Sequence, residues 1–407
     1  MAQGEIKMAL ARAAEPLVKN LYHCMRGNYC AEMSWEERGI QHVCPTLVHH
    51  NPAPGYSGKG YLAAARAIME GEELPISSVV ERFFNCTTCG NCEEACPVGL
   101  QPAHLVKDVR AAMVEQGLAP TPIAALAANI AQHHNPEGAP ADARNRWAEG
   151  LGGIEADAPT LYFPGCAAAH GASAEARATL AILRQAGVPV RLLPAEQARC
   201  CGAPLDETGY AAKAESERQE LAAAISRTGC GRVVLSGAEC MESLAGAQLG
   251  AGVELIHAFD LIEQTMERNQ VKFEPKDGVQ AGTVVGVLDP CHLSKKSHGP
   301  AAAAGYPQRT RALLARMGCE PASVGDQANF ALCCGAAGGM PQMSPQSAAR
   351  MAEGKLRSFA AAGASAVLSA SPLCTAHLRR SQASGLPPVM GLFEFIDKYF
   401  QLRPISR

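Results

Sequence analysis

Two kinds of apolar pattern alternate along the second half of the chain. Short apolar runs have the length of buried strands, and longer stretches with one apolar face have the spacing of helices. Two of these helical stretches stop at Gly187 and Gly229, as helices commonly do. This alternation predicts repeated βαβ units. The predicted strands are TLYF (160–163), RVVLS (232–236), TVVGVL (283–288) and SAVLSA (365–370).

A cysteine closely follows each predicted strand, and a CCG triplet lies between the strands of each pair. The two spacings, C-x33-CC-x38-C and C-x41-CC-x39-C, are similar enough to indicate an internal repeat. Ligands gather at the carboxyl ends of parallel strands, so each set is expected at one sheet edge. Adjacent cysteines cannot both face one metal from a regular element, so Gly202 and Gly335 are expected to bend irregular loops. The sets are Cys166, Cys200, Cys201 and Cys240, and Cys291, Cys333, Cys334 and Cys374.

The first half of the chain has a denser cysteine motif, FFNCTTCGNCEEACPVG at 83–99. Its spacing, C-x2-C-x2-C-x3-C-P, is typical of the loop around a four-iron cluster. Structural zinc is the alternative, but zinc sites usually combine two separated cysteine pairs. The motif therefore favours an iron-sulfur cluster. Its cysteines are Cys86, Cys89, Cys92 and Cys96.

A degenerate second motif lies upstream. Cys24 and Cys30 occupy its first and third positions, Gly27 replaces the second, and Cys44 follows an insertion. In two-cluster ferredoxins the fourth cysteine of each motif binds the other cluster. One cluster would then use Cys44, Cys86, Cys89 and Cys92, and the other Cys24, Cys30 and Cys96.

The second of these clusters lacks one assigned ligand. An absent iron, a histidine such as His23 or His42, and a rearranged loop at 31–43 all remain open. A lone histidine near a metal site is more often a solvated side chain than a ligand.

Composition limits the function classes. The chain has 407 residues and 17 cysteines, an odd number, and no secretory leader pattern, so we expect reduced thiols and a cytoplasmic protein. A net charge of -3 without a basic stripe argues against nucleic acid. No apolar run reaches the length of a membrane span, so any membrane association would pass through a partner subunit.

The predicted domains are 1–116, ferredoxin-like; 117–158, a partly helical linker; 159–275, the first CCG domain; and 276–407, the second.

The doubled CCG pattern behind a ferredoxin-like front resembles the CCG-domain iron-sulfur proteins. These include the heterodisulfide reductase catalytic subunit and the iron-sulfur subunits of glycolate oxidase and anaerobic glycerol-3-phosphate dehydrogenase. The resemblance covers nearly the whole chain, including CPTL (44–47) and NPEGAPADARNRWAEG (135–150). It implies an α+β and α/β multidomain protein, with a mostly helical two-cluster ferredoxin-like domain followed by two pseudo-repeated βαβ CCG domains. It also implies mainly [4Fe-4S] clusters, two in the N-terminal domain and one in each CCG domain.

The chain departs from the family at one position of each copy. The full motif ends in C-x2-C, and Gly237 and Ser371 stand where the first of those cysteines would be. In the family, the fifth thiolate helps to form the non-cubane clusters that cleave disulfides. Four thiolates would hold an ordinary cubane, or a modified cluster with Ser371 Oγ or another group as a replacement ligand.

Two functions remain at this stage. The chain could be an electron-transfer subunit that connects a flavoprotein, dehydrogenase or membrane subunit with ferredoxin or a quinone-linked carrier. Alternatively, it could be a heterodisulfide-reductase-like catalytic subunit that reduces a disulfide or another two-electron acceptor at a CCG cluster. Gly237 and Ser371 favour the first. For the second, the copy with the small-residue loop CCGAAGGM (333–340) is the expected substrate site.

Overall fold

The computed structural model describes residues 8, 10–11, 21–35, 40–276, 282–295 and 305–405. The chain divides into two compact units, each built from several segments. The first unit comprises Met1–Ala128, Pro204–Ala214 and Gly325–Lys355. The second comprises Asn129–Ala203, Glu215–Val324 and Leu356–Arg407. The domain boundaries expected from the sequence stay predictions.

The elements are numbered here in chain order. The strands are β1 (Glu32–Trp35), β2 (Ile40–His42), β3 (Thr160–Phe163), β4 (Val190–Arg191), β5 (Arg232–Leu235), β6 (Glu254–His257), β7 (Val271–Pro275), β8 (Thr283–Leu288), β9 (Cys319–Pro321), β10 (Ala366–Ser369), β11 (Val389–Gly391) and β12 (Phe400–Pro404). The helices are α1 (Pro45–His49), α2 (Gly58–Met69), α3 (Ile76–Phe84), α4 (Asn91–Glu94), α5 (Pro102–Glu115), α6 (Thr121–His133), α7 (Ser173–Gln185), α8 (Ala203–Glu207), α9 (Ala211–Arg227), α10 (Ala238–Leu244), α11 (Ala258–Asn269), α12 (Cys291–Ser294), α13 (Tyr306–Arg316), α14 (Met340–Met343), α15 (Pro345–Ala361), α16 (Pro372–Arg380) and α17 (Leu392–Tyr399).

The first unit is mainly helical in its described residues. Helices α2, α3 and α5 pack around one apolar core that contains Tyr61, Phe83 and Val106. The insertion between the two cysteine motifs contains an antiparallel hairpin of β1 and β2. The mixture of helices with parallel sheets elsewhere agrees with the expected α/β character.

The second unit contains two four-stranded parallel sheets. Their strand orders are β4-β3-β5-β6 and β11-β10-β8-β9. Each of the four apolar runs noted in the sequence contains a strand, and the runs pair as β3 with β5 and β8 with β10. Phe163 lies opposite Leu235, and Leu288 lies opposite Ser369. Because each pair ends in register, the residues that follow both strands emerge at one edge of their sheet.

The two sheets share one hydrophobic core, to which helices α7, α11, α13 and α17 contribute. Glu175 of α7 links the two copies through its buried carboxylate. This carboxylate accepts hydrogen bonds from the backbone N–H groups of Phe393 at 3.2 Å and Glu394 at 3.0 Å. Both donors lie in the first turn of α17, where a negative charge is favourable. A side chain at Gly391 would overlap the carboxylate, so the contact requires glycine there. A two-stranded ribbon, β7 with β12, also joins the copies.

Glu175 is expected to make stability pH-dependent. Burial raises the pKa of Glu175 to about 8 from its usual 4.5, although the two backbone donors oppose this shift. The folded state then binds more protons than the unfolded state between these values, so stability is lost as the pH rises through about 8. We expect the unfolding free energy of the native protein, relative to Glu175→Gln, to fall by about 3–5 kcal/mol from pH 4.5 to pH 8.5. Urea titrations of both proteins across this range measure the difference, and a pH-independent difference would contradict the assignment.

Candidate metal centres

The dense cysteine motif forms an irregular loop between α3 and α4. Cys86 and Cys89 are buried in this loop, and Cys92 lies in α4. The backbone turns back on itself at Thr88 (φ 50°) and Gly90 (φ 78°). This turn lets the N–H of Thr88 donate to Cys86 Sγ at 3.3 Å. Backbone N–H donors of this kind stabilise a thiolate.

Cys44, at the start of α1, lies beside these three thiols. Burial raises the pKa of Cys44 to about 12, and the Cys86 and Cys89 thiols contribute in the same direction. Burial also raises the pKa of Cys92 well above its usual value, with contributions from Cys86, Cys89 and Cys44. Four thiols are thus neighbours; those of Cys44, Cys86 and Cys89 are buried, and that of Cys92 is partly buried. Their ionisation is unfavourable unless a cationic metal group compensates the charge.

A second group contains Cys24, Cys30 and Cys96. Burial raises the pKa of Cys30, and the Cys24 and Cys96 thiols add to the effect. The backbone N–H of Lys59, in the first turn of α2, donates to Cys30 Sγ at 3.1 Å and opposes this rise. The structure therefore brings three thiols together next to the positive end of a helix.

The fourth ligand of this second group stays open. His23 and His42 are both exposed. The part of the insertion at 36–39 lies outside the described residues. A ligand from His23 or His42 and a ligand from the loop at 31–43 both stay predictions.

Gly58 separates the two thiol groups. A Cβ atom at this position would lie 2.8 Å from Cys92 Cβ and 3.0 Å from Cys30 Cβ. Contacts this short are not tolerated, so α2 can begin between the groups only with glycine. The two groups are therefore immediate neighbours.

Two buried hydroxyl groups beside the first thiol group fit a sulfur-rich cofactor. The hydroxyls of Tyr61 and Thr87 are buried and have no oxygen or nitrogen acceptor among the described residues, and the Tyr61 hydroxyl interacts with the Cys86 thiol. A buried hydroxyl without an acceptor is costly, and cluster sulfurs commonly accept such hydrogen bonds. No three His, Cys, Asp or Glu side chains among the described residues are arranged for a single metal ion. A cubane cluster spreads its thiolates over four irons and needs a wider arrangement.

Arg110 of α5 anchors the Cys86 loop from within the first unit. Its guanidinium is fully buried and donates to four backbone carbonyls. The acceptors are Phe83 at 2.9 Å, Cys86 at 2.6 Å, Glu207 at 2.6 Å and Gly338 at 3.0 Å. Glu207 and Gly338 belong to the segments that follow the two CCG triplets. One buried cation thus fixes three distant stretches of chain.

The first CCG copy brings its four thiols together. Cys166 follows β3, Cys240 lies in α10 after β5, and the CC pair lies in the loop before α8. All four are buried. Contacts with Cys166 and Cys201 raise the pKa of Cys200, whereas contacts with Cys200 and Cys240 lower that of Cys201.

The glycine of this triplet bends the loop as expected. Gly202 has φ 86°, a left-handed conformation that favours glycine, and its N–H donates to Cys200 Sγ at 3.4 Å. Arg144 also lies beside the thiol group and is buried. Its Nη1 donates to Cys166 Sγ at 3.5 Å. Together these donors provide positive charge around the four sulfurs.

Gly237 lies directly beside this thiol group. A Cβ atom there would be 3.1 Å from Cys240 Sγ. This is the position at which the full CCG motif has its fifth cysteine. In the first copy, the position of the fifth cysteine therefore lies next to the four thiols, but Gly237 has no side chain that could bind a cluster.

The second CCG copy is divided between the two compact units. Cys291 begins α12 after β8, and Cys374 lies in α16 after β10, both in the second unit. Ser371 caps α16, where its Oγ accepts a hydrogen bond from the N–H of Cys374 at 3.4 Å. Cys333 and Cys334 belong to the first unit and are buried there. That these four thiols bind one cluster stays a prediction.

The loop of the second triplet repeats the local geometry of the first. Gly335 has φ 95°, and its N–H donates to Cys333 Sγ at 3.3 Å. A Cβ atom at Gly335 would lie 2.8 Å from the carbonyl oxygen of Ala348. Glycine is therefore required both by conformation and by space.

Three residues near the thiols were not predicted from the sequence to belong to a site. They are Arg110, Arg144 and Tyr61. Each has an ordinary neighbourhood in the sequence: a helical arginine, a charged residue in an apparent linker, and an aromatic residue in an apolar helix. Their partners are distant along the chain, so local spacing carries no signal for them. For Arg144, the segment 135–150 that resembles the family offered a hint.

The comparisons with known proteins identify the types of domain in the chain. The 4Fe-4S dicluster domain matches residues 20–100, and the cysteine-rich CCG domain matches 160–245 and 285–379. The chain is 27% identical over 364 residues to one of the subunits of dihydromethanophenazine:CoB–CoM heterodisulfide reductase from Methanosarcina barkeri, covering 82% of this chain and 85% of that protein. It is 26% identical over 331 residues to one of the subunits of the fumarate reductase (CoM/CoB) of Methanothermobacter marburgensis, covering 80% and 63%.

A more distant relative is the EtfAB:quinone oxidoreductase of Syntrophomonas wolfei, at 22% identity over 293 residues, covering 68% of this chain and 39% of that protein. In the described part of the chain, no helix has the length and apolar character needed to cross a membrane. The thiol groups and both domain matches lead to one assignment. The chain belongs to the CCG-domain iron-sulfur proteins, with a 4Fe-4S dicluster domain followed by two CCG domains.

Proposed function

We propose that this protein is the iron-sulfur electron-transfer subunit of a multi-subunit oxidoreductase. The observation that carries the proposal is the pair of adjacent thiol groups on either side of Gly58. Clusters bound this close together can exchange single electrons directly. The relatives named as reductase subunits, and the one named as a quinone oxidoreductase, support a role within such a complex.

The proposed ligands follow the thiol groups. In the N-terminal domain, one cluster is bound by Cys44, Cys86, Cys89 and Cys92, and the other by Cys24, Cys30 and Cys96. Each of the two pseudo-repeated βαβ CCG domains binds one cluster, through Cys166, Cys200, Cys201 and Cys240 or through Cys291, Cys333, Cys334 and Cys374. Bound there, the clusters supply one-electron redox chemistry. The chain's own groups orient the sulfurs, exclude water and place positive charge beside them.

The partners are proposed at the level of class. A flavoprotein, dehydrogenase or membrane subunit would exchange electrons at one end of the relay, and ferredoxin or a quinone-linked carrier at the other. The protein would act in the cytoplasm, with any membrane association through such a partner.

Anaerobic purification of the native complex tests this proposal. We expect a brown protein that contains iron and sulfide, shows cluster signals on reduction, and elutes together with redox subunits. Dithionite-reduced protein should pass electrons to a one-electron dye acceptor. A colourless, zinc-containing protein would refute the proposal.

A second candidate function, reduction of a small acceptor at a CCG cluster, has one specific observation in its favour. A small recess, with room for about one water molecule, is lined by Arg144, Pro164 and Gly165, the residue before Cys166. It adjoins the first copy, whereas the sequence favoured the second copy as the substrate site. Turnover of Cys201→Ser and Cys334→Ser in the reconstituted complex distinguishes the copies. If neither variant loses activity, this candidate is wrong.

The incomplete second group in the N-terminal domain gives a separate prediction. With Gly27 in place of a cysteine, the cluster of Cys24, Cys30 and Cys96 is expected to be lost on exposure to air before the fully ligated one. Gly27→Cys should supply the missing corner and slow this loss, because a Cβ atom at 27 meets only the Tyr29 ring, at 3.2 Å. Iron release and the decay of the cluster signals measure the effect. Two equally stable clusters in the native protein would contradict it.

A further inference from the structure

Tyr61 contains a buried hydroxyl that has no oxygen or nitrogen acceptor among the described residues. The residue is 2% exposed, and its hydroxyl interacts with the thiol of Cys86. Its ring packs against Phe83, with the ring centroids 5.7 Å apart. Buried hydroxyls nearly always have a partner, because an unsatisfied donor forfeits its hydration. The position therefore favours a sulfur acceptor, either the Cys86 Sγ or another sulfur of a cluster bound there.

The hydroxyl lies at the first thiol group. Tyr61 is in the first turn of α2, which begins at Gly58 between Cys30 and Cys92. It belongs to the same apolar cluster as Cys86. The hydroxyl interacts with the Cys86 thiol, and a tyrosine hydroxyl is protonated at neutral pH and can donate.

We propose that the Tyr61 hydroxyl donates a hydrogen bond to a sulfur of the cluster bound by Cys44, Cys86, Cys89 and Cys92 and raises the reduction potential of that cluster. This inference rests on the proposed ligands. A reduced cluster carries one more negative charge than an oxidised one, so a donor to its sulfur stabilises the reduced form more. The surrounding apolar packing strengthens this effect because it lowers the local dielectric. Tyr61 is thus a positioning and tuning residue and not a ligand.

Tyr61→Phe removes the hydroxyl and keeps the ring. The matched control is Tyr306→Phe, which alters a fully buried tyrosine of the second unit that packs on Phe259.

Redox titrations of the anaerobic holoprotein, followed by electron paramagnetic resonance, measure the potential of each cluster. The comparison is made at the midpoint potential that this cluster has in the native protein. At that potential, we expect its ratio of reduced to oxidised form to fall about tenfold in Tyr61→Phe. For a one-electron couple this is a downward shift of about 59 mV. Iron content and the other potentials should not change, and Tyr306→Phe should behave as the native protein.

A second measurement identifies the hydrogen bond directly. Proton double-resonance spectra of this reduced cluster should contain a coupled proton that is present in the native protein and in Tyr306→Phe and absent in Tyr61→Phe. An unchanged potential or an unchanged proton spectrum in iron-replete Tyr61→Phe overturns the inference. If Tyr61→Phe loses iron, the native chain containing 3-fluorotyrosine, whose hydroxyl is a stronger donor, is measured instead. A raised potential of this cluster then supports the inference, and an unchanged potential overturns it. Failure of the proposed ligands is recognised separately, because Cys86→Ser would then keep its full iron content.

Discussion

Replacement of Arg110 by methionine is expected to lower the unfolding free energy by about 3–5 kcal/mol, the usual loss when one partner of a buried charged network is removed. The variant keeps much of the side-chain volume but leaves four backbone carbonyls of the first unit without their donor. Two of them, at Phe83 and Cys86, flank the ligand loop. The variant should therefore also lose iron from the Cys86 site. Urea unfolding and iron analysis measure the two effects.

Arg146→Met is the matched control for Arg110→Met. Arg146 pairs with Asp142 one helical turn away, and both side chains are more than half exposed. Exposed pairs of this kind often contribute nothing measurable to stability. Arg110→Met with the stability and iron content of this control would show that the buried guanidinium does not anchor the loop.

Cys201→Ser should remove one whole cluster, about four iron atoms per chain, from the first CCG domain only. A serine hydroxyl binds iron more weakly than a thiolate, and Cys201 contacts both Cys200 and Cys240 at the centre of the group. Cys334→Ser should remove the same amount of iron from the second CCG domain, because each proposed site takes its thiols from one copy. Total iron and the cluster signals that remain in each variant measure these losses.

Cys230→Ser is the control for this pair of variants. Cys230 is buried in the apolar core of the first sheet and lies outside both thiol groups of the N-terminal domain and both CCG sets. It should keep all of its iron. Full iron content in both Cys201→Ser and Cys334→Ser would rule out the proposed CCG ligands, and loss of two clusters from either one would show that the sites share thiols.

Local pattern made part of this fold predictable. The four strands near Cys166, Cys240, Cys291 and Cys374 were found because short apolar runs between glycine-terminated helices have few alternative structures. The domain types followed from cysteine spacing, since clusters need thiols at fixed local intervals. These features are encoded within a few residues, and the structure and the domain matches agree with them.

Contacts between distant residues were not predictable in the same way. Nothing near Glu175 in the sequence indicates that its carboxylate caps α17, more than 200 residues later. Likewise, the periodicity of α5 does not show that Arg110 is buried against segments at 207 and 338. Such polar contacts depend on which surfaces meet after packing, and a single sequence does not contain that information. The ligand assignments, including the open fourth position beside Cys24, stay predictions for the same reason.

The ribbon of β7 and β12 affects how the chain can fold during synthesis. Residues 271–275 leave the ribosome long before residues 400–404, and until then β7 has an exposed edge. The first CCG domain therefore cannot complete its native contacts during translation, although all its cysteines have already emerged. Fragments that end between the two CCG copies lack β12, so we expect them to aggregate rather than fold.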